Sequence, residues 1–169
     1  MSPVELRPLE AAHAETMLRW MLDPDVAENV GLRSTPTLAR TLDWIAKESV
    51  DARAICHDGL HIGNVVLDQL DTHLQTARIS IYLGESSARG KGLAAEALRL
   101  ALAHGFTQHH LHRIWLTVHE RNAAALALYE RVGFQREGVL REDFLLLGER
   151  VNAILMSILR REFEAAPIP

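Results

Sequence analysis

Apolar positions along this chain recur in two rhythms. A period of two marks strands, and a spacing of three and four marks helices. Val4 to Leu6 reads as a short strand. Glu10 to Leu22 has helical spacing through Ala14, Met17, Leu18 and Met21, and Pro24 ends it. Asp23 to Arg33 reads as an irregular loop with Gly31 as a hinge. Thr35 is placed to cap a helix with Pro36 at its first position and Leu38, Leu42 and Ile45 on one face. Arg53 to His57 and His61 to Asp68 read as strands joined by the hairpin signal Asp58-Gly59. Ala77 to Leu83 is a third strand of this kind, Leu93 to Thr107 a long helix, and Arg113 to Val118 a strand. Asn122 caps a helix over Ala123 to Val132, and Gly133 stops it. Phe134 to Glu137 leads into a strand near Leu140 to Leu147. Gly148-Glu149 then turns the chain into a last strand, Val151 to Leu159. Hairpins followed by strands alternating with helices predict an α/β domain over residues 1–163. It has a mixed central sheet of about seven strands with helices on both faces. Residues 164–169 read as a frayed tail.

Composition narrows the class. The 169 residues are 48% hydrophobic and 24% charged, which suits one ordinary domain with a sizeable core. A net charge of -4 argues against a general nucleic-acid binder. The single cysteine, Cys56, excludes an intrachain disulfide and suits a reducing compartment. It ends the run Ala52 to Cys56 and reads as a buried structural thiol. Glu5, Arg7 and Glu10 interrupt the N-terminus, so it does not read as a signal peptide. No apolar stretch is long enough to span a membrane. A cytoplasmic protein without nucleic-acid or membrane partners is the expectation.

The strand Ile79 to Leu83 runs through Gly84 to Ala88 into Arg89-Gly90-Lys91-Gly92-Leu93-Ala94, which opens the long helix. Free N–H groups at a helix start attract anions, and glycines let a ligand approach the backbone. Arg89 and Lys91 add positive charge. The segment is not a nucleotide P-loop, because Gly92 follows Lys91 and no glycine lies five residues before Gly90. Its glycine spacing also fails the dinucleotide fingerprint. It does fit Arg-x-x-Gly-x-Ala at Arg89, Gly92 and Ala94, and so resembles the acyl-CoA pyrophosphate motif of the GNAT superfamily of N-acetyltransferases. The run from Asn122 through Tyr129 to Gly133-Phe134 resembles that family's second signature, about thirty residues on. Gly148 to Ser157 is similar to the last strand of one branch, which holds spermidine, ribosomal-protein N-terminal and amino-sugar acetyltransferases.

The resemblance implies acetyl-CoA as cosubstrate. It assigns the cofactor to the strand edge Ile81, Tyr82 and Leu83, to the cradle Arg89, Gly90, Lys91, Gly92, Leu93 and Ala94, and to Asn122 beside the pantetheine arm. It also implies that the strand before the cradle splays from its neighbour and exposes backbone groups to that arm. Tyr129 falls near the thioester sulfur, as the acid for the leaving thiolate. Some relatives carry a Glu base in the strand before the motif Asn; here that strand reads Leu116-Thr117-Val118, and Thr117 cannot be a base near neutral pH. His119 and Glu120, in the following turn, are the nearby titratable candidates. A water chain past Ser80, Tyr82 or backbone carbonyls is the leading alternative.

Trp20, Trp44 and Val30-Gly31-Leu32 belong to the region that covers the acceptor in relatives, although a Trp on an apolar helix face is more often core. Asn64, Arg150 and Asn152 are placed to bond an acceptor, against the plainer reading of solvated or strand-end polar residues. His104, His109, His110 and His112 span a helix end, but no nearby Cys or carboxylate completes a metal set. They read as a polar terminus, with His at the helix's negative end and no metal. The leading expectation is transfer of an acetyl group to a primary amine of a small molecule, first a nucleotide-linked amino sugar. Polyamine and protein N-terminal acetylation are alternatives, and a non-catalytic acyl-CoA-binding module is a second class. Against polyamine, Asp23 to Arg33 is not densely acidic. A homodimer is left open.

Overall fold

The computed structural model describes residues 3–165. Seven strands form one sheet: β1 Glu5–Pro8, β2 Asp51–His57, β3 Leu60–Asp71, β4 Thr76–Leu83, β5 Arg113–His119, β6 Gln135–Leu146 and β7 Glu149–Leu159. Their order is β1-β2-β3-β4-β5-β7-β6. Every neighbouring pair is antiparallel except β4 and β5. Both β2–β3 and β6–β7 turn through two residues with positive φ, Asp58-Gly59 and Leu147-Gly148. That backbone suits the right-handed twist of the paired strands. The second turn lies one residue earlier than Gly148-Glu149.

The helices are α1 Ala14–Met21, α2 Pro24–Val30, α3 Leu38–Ile45, α4 Leu93–Gln108, α5 Ala123–Val132 and α6 Arg160–Ala165. Alternate sheet residues, including Ile55, Leu67, Ile79, Ile114, Leu116, Met156 and Ile158, pack with Leu98, Leu102 and Phe106 of α4 and Leu126 of α5 in the main core. Helices α1 to α3 cover part of the opposite face through Met17, Trp20, Val26, Trp44 and Ile45, against Tyr82. Cys56 is buried, as expected, and burial pushes its thiol up. No described helix is long and apolar enough to cross a membrane.

Four local expectations change. Residues 24–30 are helical rather than irregular, with Asp23 as N-cap, Pro24 at the first position and Gly31 as a left-handed C-cap. The next helix is capped by Thr37, whose hydroxyl accepts from the Arg40 N–H, not by Thr35. Strand β6 begins at Gln135 and takes in the segment read as a lead-in, kept in register by bulges. Glu164 and Ala165 close α6; the rest of the supposed tail, 166–169, lies outside the described residues.

What positions the site is the short pairing of β4 with β5. It covers only Thr76 to Arg78 against Arg113 to Trp115. Beyond it the strands part, and the β5-facing backbone edge of Ile79 to Leu83 has no strand partner among the described residues. The implied splay is present. The cradle and α4 follow the open end of β4, and α5 follows that of β5.

Candidate active site

At the open end of the splay the chain enters α4 through two glycines in the left-handed region, Gly90 at φ 73° and Gly92 at φ 80°. Gly92 is the N-cap and brings no side chain to the helix start. The backbone N–H groups from Gly90 to Ala94 have no hydrogen-bond acceptor among the described residues. A Cβ added at Gly90 or Gly92 would meet nothing within 4 Å, so these glycines border open space. Arg89 donates from Nε and one terminal nitrogen to the Leu83 carbonyl at 3.3 Å, tying the loop to the end of β4. Lys91 is exposed. The result is an anion-seeking pocket made of backbone, at the positive end of a sixteen-residue helix.

Across the splay, β5 ends at His119, which is buried at 5% exposure. It belongs to the strand rather than to a solvent-facing turn. Asn29 of α2 links it to α5: its Oδ1 lies 3.2 Å from His119 Nε2 and accepts from Asn122 Nδ2 at 3.2 Å. That pairing assigns the His119 proton to Nε2. The other ring nitrogen, Nδ1, is sealed and has no hydrogen-bond partner among the described residues. Burial pushes the imidazole pKa down, against the pull of Glu28 on α2. The ring centroid also lies 4.9 Å from that of Phe144, which would meet a Cβ added at Gly31, at the end of α2, at 3.4 Å. Asn122 meanwhile caps α5 by accepting from the Ala125 N–H at 3.1 Å.

Tyr129, two turns along α5, is 8% exposed, and its ring lies tilted against Phe134 with centroids 5.7 Å apart. Its hydroxyl has no hydrogen-bond partner among the described residues and is not sealed. Burial pushes the phenol up to about 12. Glu120 is turned elsewhere. Its carboxylate accepts from the Asn152 N–H and Nδ2 at 3.3 and 3.2 Å, locking the β5 end to β7. Arg150 reaches the Glu142 carbonyl at 3.4 Å.

On the face covered by α1 to α3, Asn64 is fully buried rather than solvated. Its Nδ2 donates to the Tyr82 hydroxyl at 2.7 Å, and its Oδ1 lies 2.8 Å from His61 Nε2. Leaving such an amide unpaired would cost about 1–3 kcal/mol. Burial raises the Tyr82 phenol and lowers the His61 imidazole. The Tyr82 side chain is thereby spent on this network, which leaves its backbone edge to face the splay. Trp20 is core and contacts both rings; its indole N–H donates to Glu85 at 2.9 Å, and Arg19 pairs with the same carboxylate. A Cβ at Gly84 would lie 1.9 Å from the indole, so only glycine lets Trp20 close over the end of β4.

The chain matches the family model described as Acetyltransferase (GNAT) domain over residues 4–135. It belongs to the GNAT acetyltransferase family. This GNAT domain is 34% identical to spermidine N(1)-acetyltransferase of Escherichia coli strain K12 over 108 residues, 64% of the chain. It spans 58% of the length of that relative. It is 28% identical over 142 residues to the putative ribosomal N-acetyltransferase YdaF of Bacillus subtilis, covering 82% of the chain and 76% of the relative. Its fold matches the crystal structure of spermidine N-acetyltransferase from Vibrio cholerae in complex with CoA and spermine. The TM-score is 0.89, with 24% identity, 95% of this chain and 98% of the other covered.

The fold of the GNAT domain thus brings together His119 and Asn122, and sets Ile81 to Leu83 and the Arg89 to Ala94 cradle along one opening. It does not bring Glu120 to them. Asn29 and Glu85 carry no local signal because their partners His119 and Trp20 lie far along the chain, and His61, although it bonds nearby Asn64, is placed by its ring contact with distant Trp20. The expected lack of a carboxylate near the histidines is overturned. Asp51 Oδ2 lies 2.7 Å from His104 Nε2 and 2.6 Å from His109 Nε2, so the histidines do have an acidic companion. His110 and His112 are not part of that cluster.

Proposed function

We propose that this GNAT domain transfers the acetyl group of acetyl-CoA to a primary amine of a polyamine or similar alkylammonium metabolite. The observation that carries the acetyl-CoA half is the run of five unpaired N–H groups, Gly90 to Ala94, beside an unpaired strand edge. Pyrophosphate fits the first and the amides of pantetheine fit the second. Asn122 stands at the far wall of the opening. The amine nitrogen attacks the thioester carbon, the C–S bond breaks, and the Tyr129 hydroxyl supplies the proton taken by the thiolate. Burial keeps the Tyr129 phenol protonated through neutral pH, so the proton is present, while the raised pKa makes the transfer depend on placement beside the thiolate. His119 serves better as an anchor for α2 than as a base: Nε2 is engaged with Asn29 and Nδ1 is sealed. Water removes the amine proton in this reading.

For the acceptor, Glu28 supports a cation. It is half-buried on α2, makes no hydrogen bond or ion pair among the described residues, and its charge is felt at His119. Asp25 stands on the same short helix, and Asp23 caps it by accepting from the Asp25 N–H at 3.0 Å. Similarity to spermidine N(1)-acetyltransferase supports the same choice and moves the amino sugar to second place. The test is thiol release from acetyl-CoA with spermidine, a nucleotide-linked amino sugar and an N-terminal peptide. The proposal expects the highest kcat/KM for spermidine. Preference for either other acceptor overturns the polyamine assignment, and no turnover with any amine favours a binding module.

A further inference from the structure

At the end of α4 opposite the cradle, three metal-ligating side chains converge. Asp51 opens β2, His104 lies in the last turns of α4, and His109 is that helix's C-cap. One ligand atom from each lies within 4.8 Å of the others. Both imidazoles aim Nε2 at the same carboxylate oxygen, Asp51 Oδ2. The rings meet edge to face, with centroids 5.4 Å apart. The other oxygen, Oδ1, accepts from Arg53 Nε at 2.6 Å. We infer that Asp51, His104 and His109 form a binding site for one late first-row divalent cation, of which zinc is the type.

The donor chemistry fits that class. Two imidazoles and a carboxylate are borderline ligands, poorly matched to calcium or magnesium, which take oxygen donors. A three-ligand set leaves a position for water. Ligand bonds of about 2.0–2.2 Å put tetrahedral ligand atoms roughly 3.3–3.6 Å apart, so each imidazole nitrogen would have to draw back from Asp51 Oδ2 by roughly 0.6–1 Å. The three side chains are only partly buried. An open groove of about 410 Å³ lined by Glu5, Leu6, Arg53, Leu100 and His104 gives access from one side. The negative end of α4 adds a favourable field. Arg53 both helps and opposes. Its Nε bond orients the carboxylate as an outer-shell partner does, but its terminal nitrogen sits 3.3 Å from His104 Nε2 and must swing aside. The metal therefore competes with a guanidinium, and a proton-filled hydrogen-bond cluster is the rival state.

Tag-free full-length protein, stripped with chelator, should be titrated with Zn²⁺ by calorimetry and with Co²⁺ by visible absorption. The inference expects one equivalent of Zn²⁺ with a dissociation constant of about 1 µM or below. His104→Ala and His109→Ala should each weaken it at least about a hundredfold, the upper end of what losing a mere supporting residue costs. His110→Ala and His112→Ala should leave it unchanged. Co²⁺ should give the visible bands of a low-coordinate site in the parent and lose them in His109→Ala. His109→Gln, a milder change at the helix end, replaces any variant that fails to fold by circular dichroism. Absence of saturable binding below about 100 µM overturns the inference. So does binding that survives both histidine substitutions.

Discussion

The two ends of helix α4 are built on opposite principles. At the N-terminal end hydrogen-bonding capacity is left over: five backbone N–H groups face outward, two glycines keep the approach clear, and the nearest cations are exposed. At the C-terminal end capacity is used up: Asp51, Arg53, His104 and His109 satisfy one another across β2 and α4. An end with unspent donors takes a ligand as it stands, whereas the cross-wired end, without a metal ion, holds the helix to the sheet and admits a cation only by giving up those bonds. The first should answer to substitution through binding and turnover, the second through stability.

The largest effect is expected beside the open end. Tyr129→Phe keeps the ring and removes the proton donor, so kcat should fall about a hundredfold or more while acetyl-CoA affinity holds. Steady-state kinetics with turnover within about threefold of the parent would make Tyr129 a packing residue only. The rate should climb with pH as free amine accumulates and then level. Burial keeps the phenol protonated up to about 12, so no fall is expected near pH 10.

The cross-wired end predicts the reverse pattern. In metal-free protein, Asp51→Asn should cost about 2 kcal/mol, the scale of a charged hydrogen bond, with acetyl-CoA affinity unchanged within about twofold. That corresponds to a melting temperature lower by about 4–8 °C. Burial alone would raise the Asp51 carboxyl, but hydrogen bonds from Arg53, His109 and His104 outweigh it and hold it well below the usual carboxylate range. A depressed pKa contributes stability that is present above the unfolded value of about 3.9 and lost as pH falls through the folded one. The gap between parent and variant should therefore shrink in acid. A gap that stays constant down to the acid transition would break this half of the comparison.

Smaller effects fall on the acceptor side. Glu28→Gln should raise KM for spermidine up to about fivefold, the loss of one partly screened ion pair of up to about 1 kcal/mol, with less effect on a monoamine. Equal effects on both acceptors would remove Glu28 from recognition. His119→Ala and Glu120→Gln should each leave kcat within about tenfold, far short of what loss of an obligatory base produces. A thousandfold loss in either, with folding intact, would identify a dedicated base.

The same contrast explains what was readable in the sequence. The cradle is local: glycines, flanking cations and a helix start lie within six residues, and Asn122, Tyr129 and Gly133 sit on one helix whose bounds match the expectation. The C-terminal cluster is not local, because Asp51 lies 53 and 58 residues from its histidines. The anchor Asn29 is 90 residues from His119, on a helix that buries only Val26 and so has no period to find. The splay depends on where two strands stop pairing, which neither strand's alternation encodes.

The central claim is that the N-terminus of α4 is the CoA site, and Gly92 tests it most directly. Its φ of 80° disfavours any side chain, and a branched one would stand in the space left to the pyrophosphate. The measurement is acetyl-CoA affinity of Gly92→Val by calorimetry, with circular dichroism to establish that the variant is folded. The predicted result is a dissociation constant at least about tenfold higher than the parent's, roughly 1.4 kcal/mol. An unchanged constant in folded Gly92→Val protein would contradict the account.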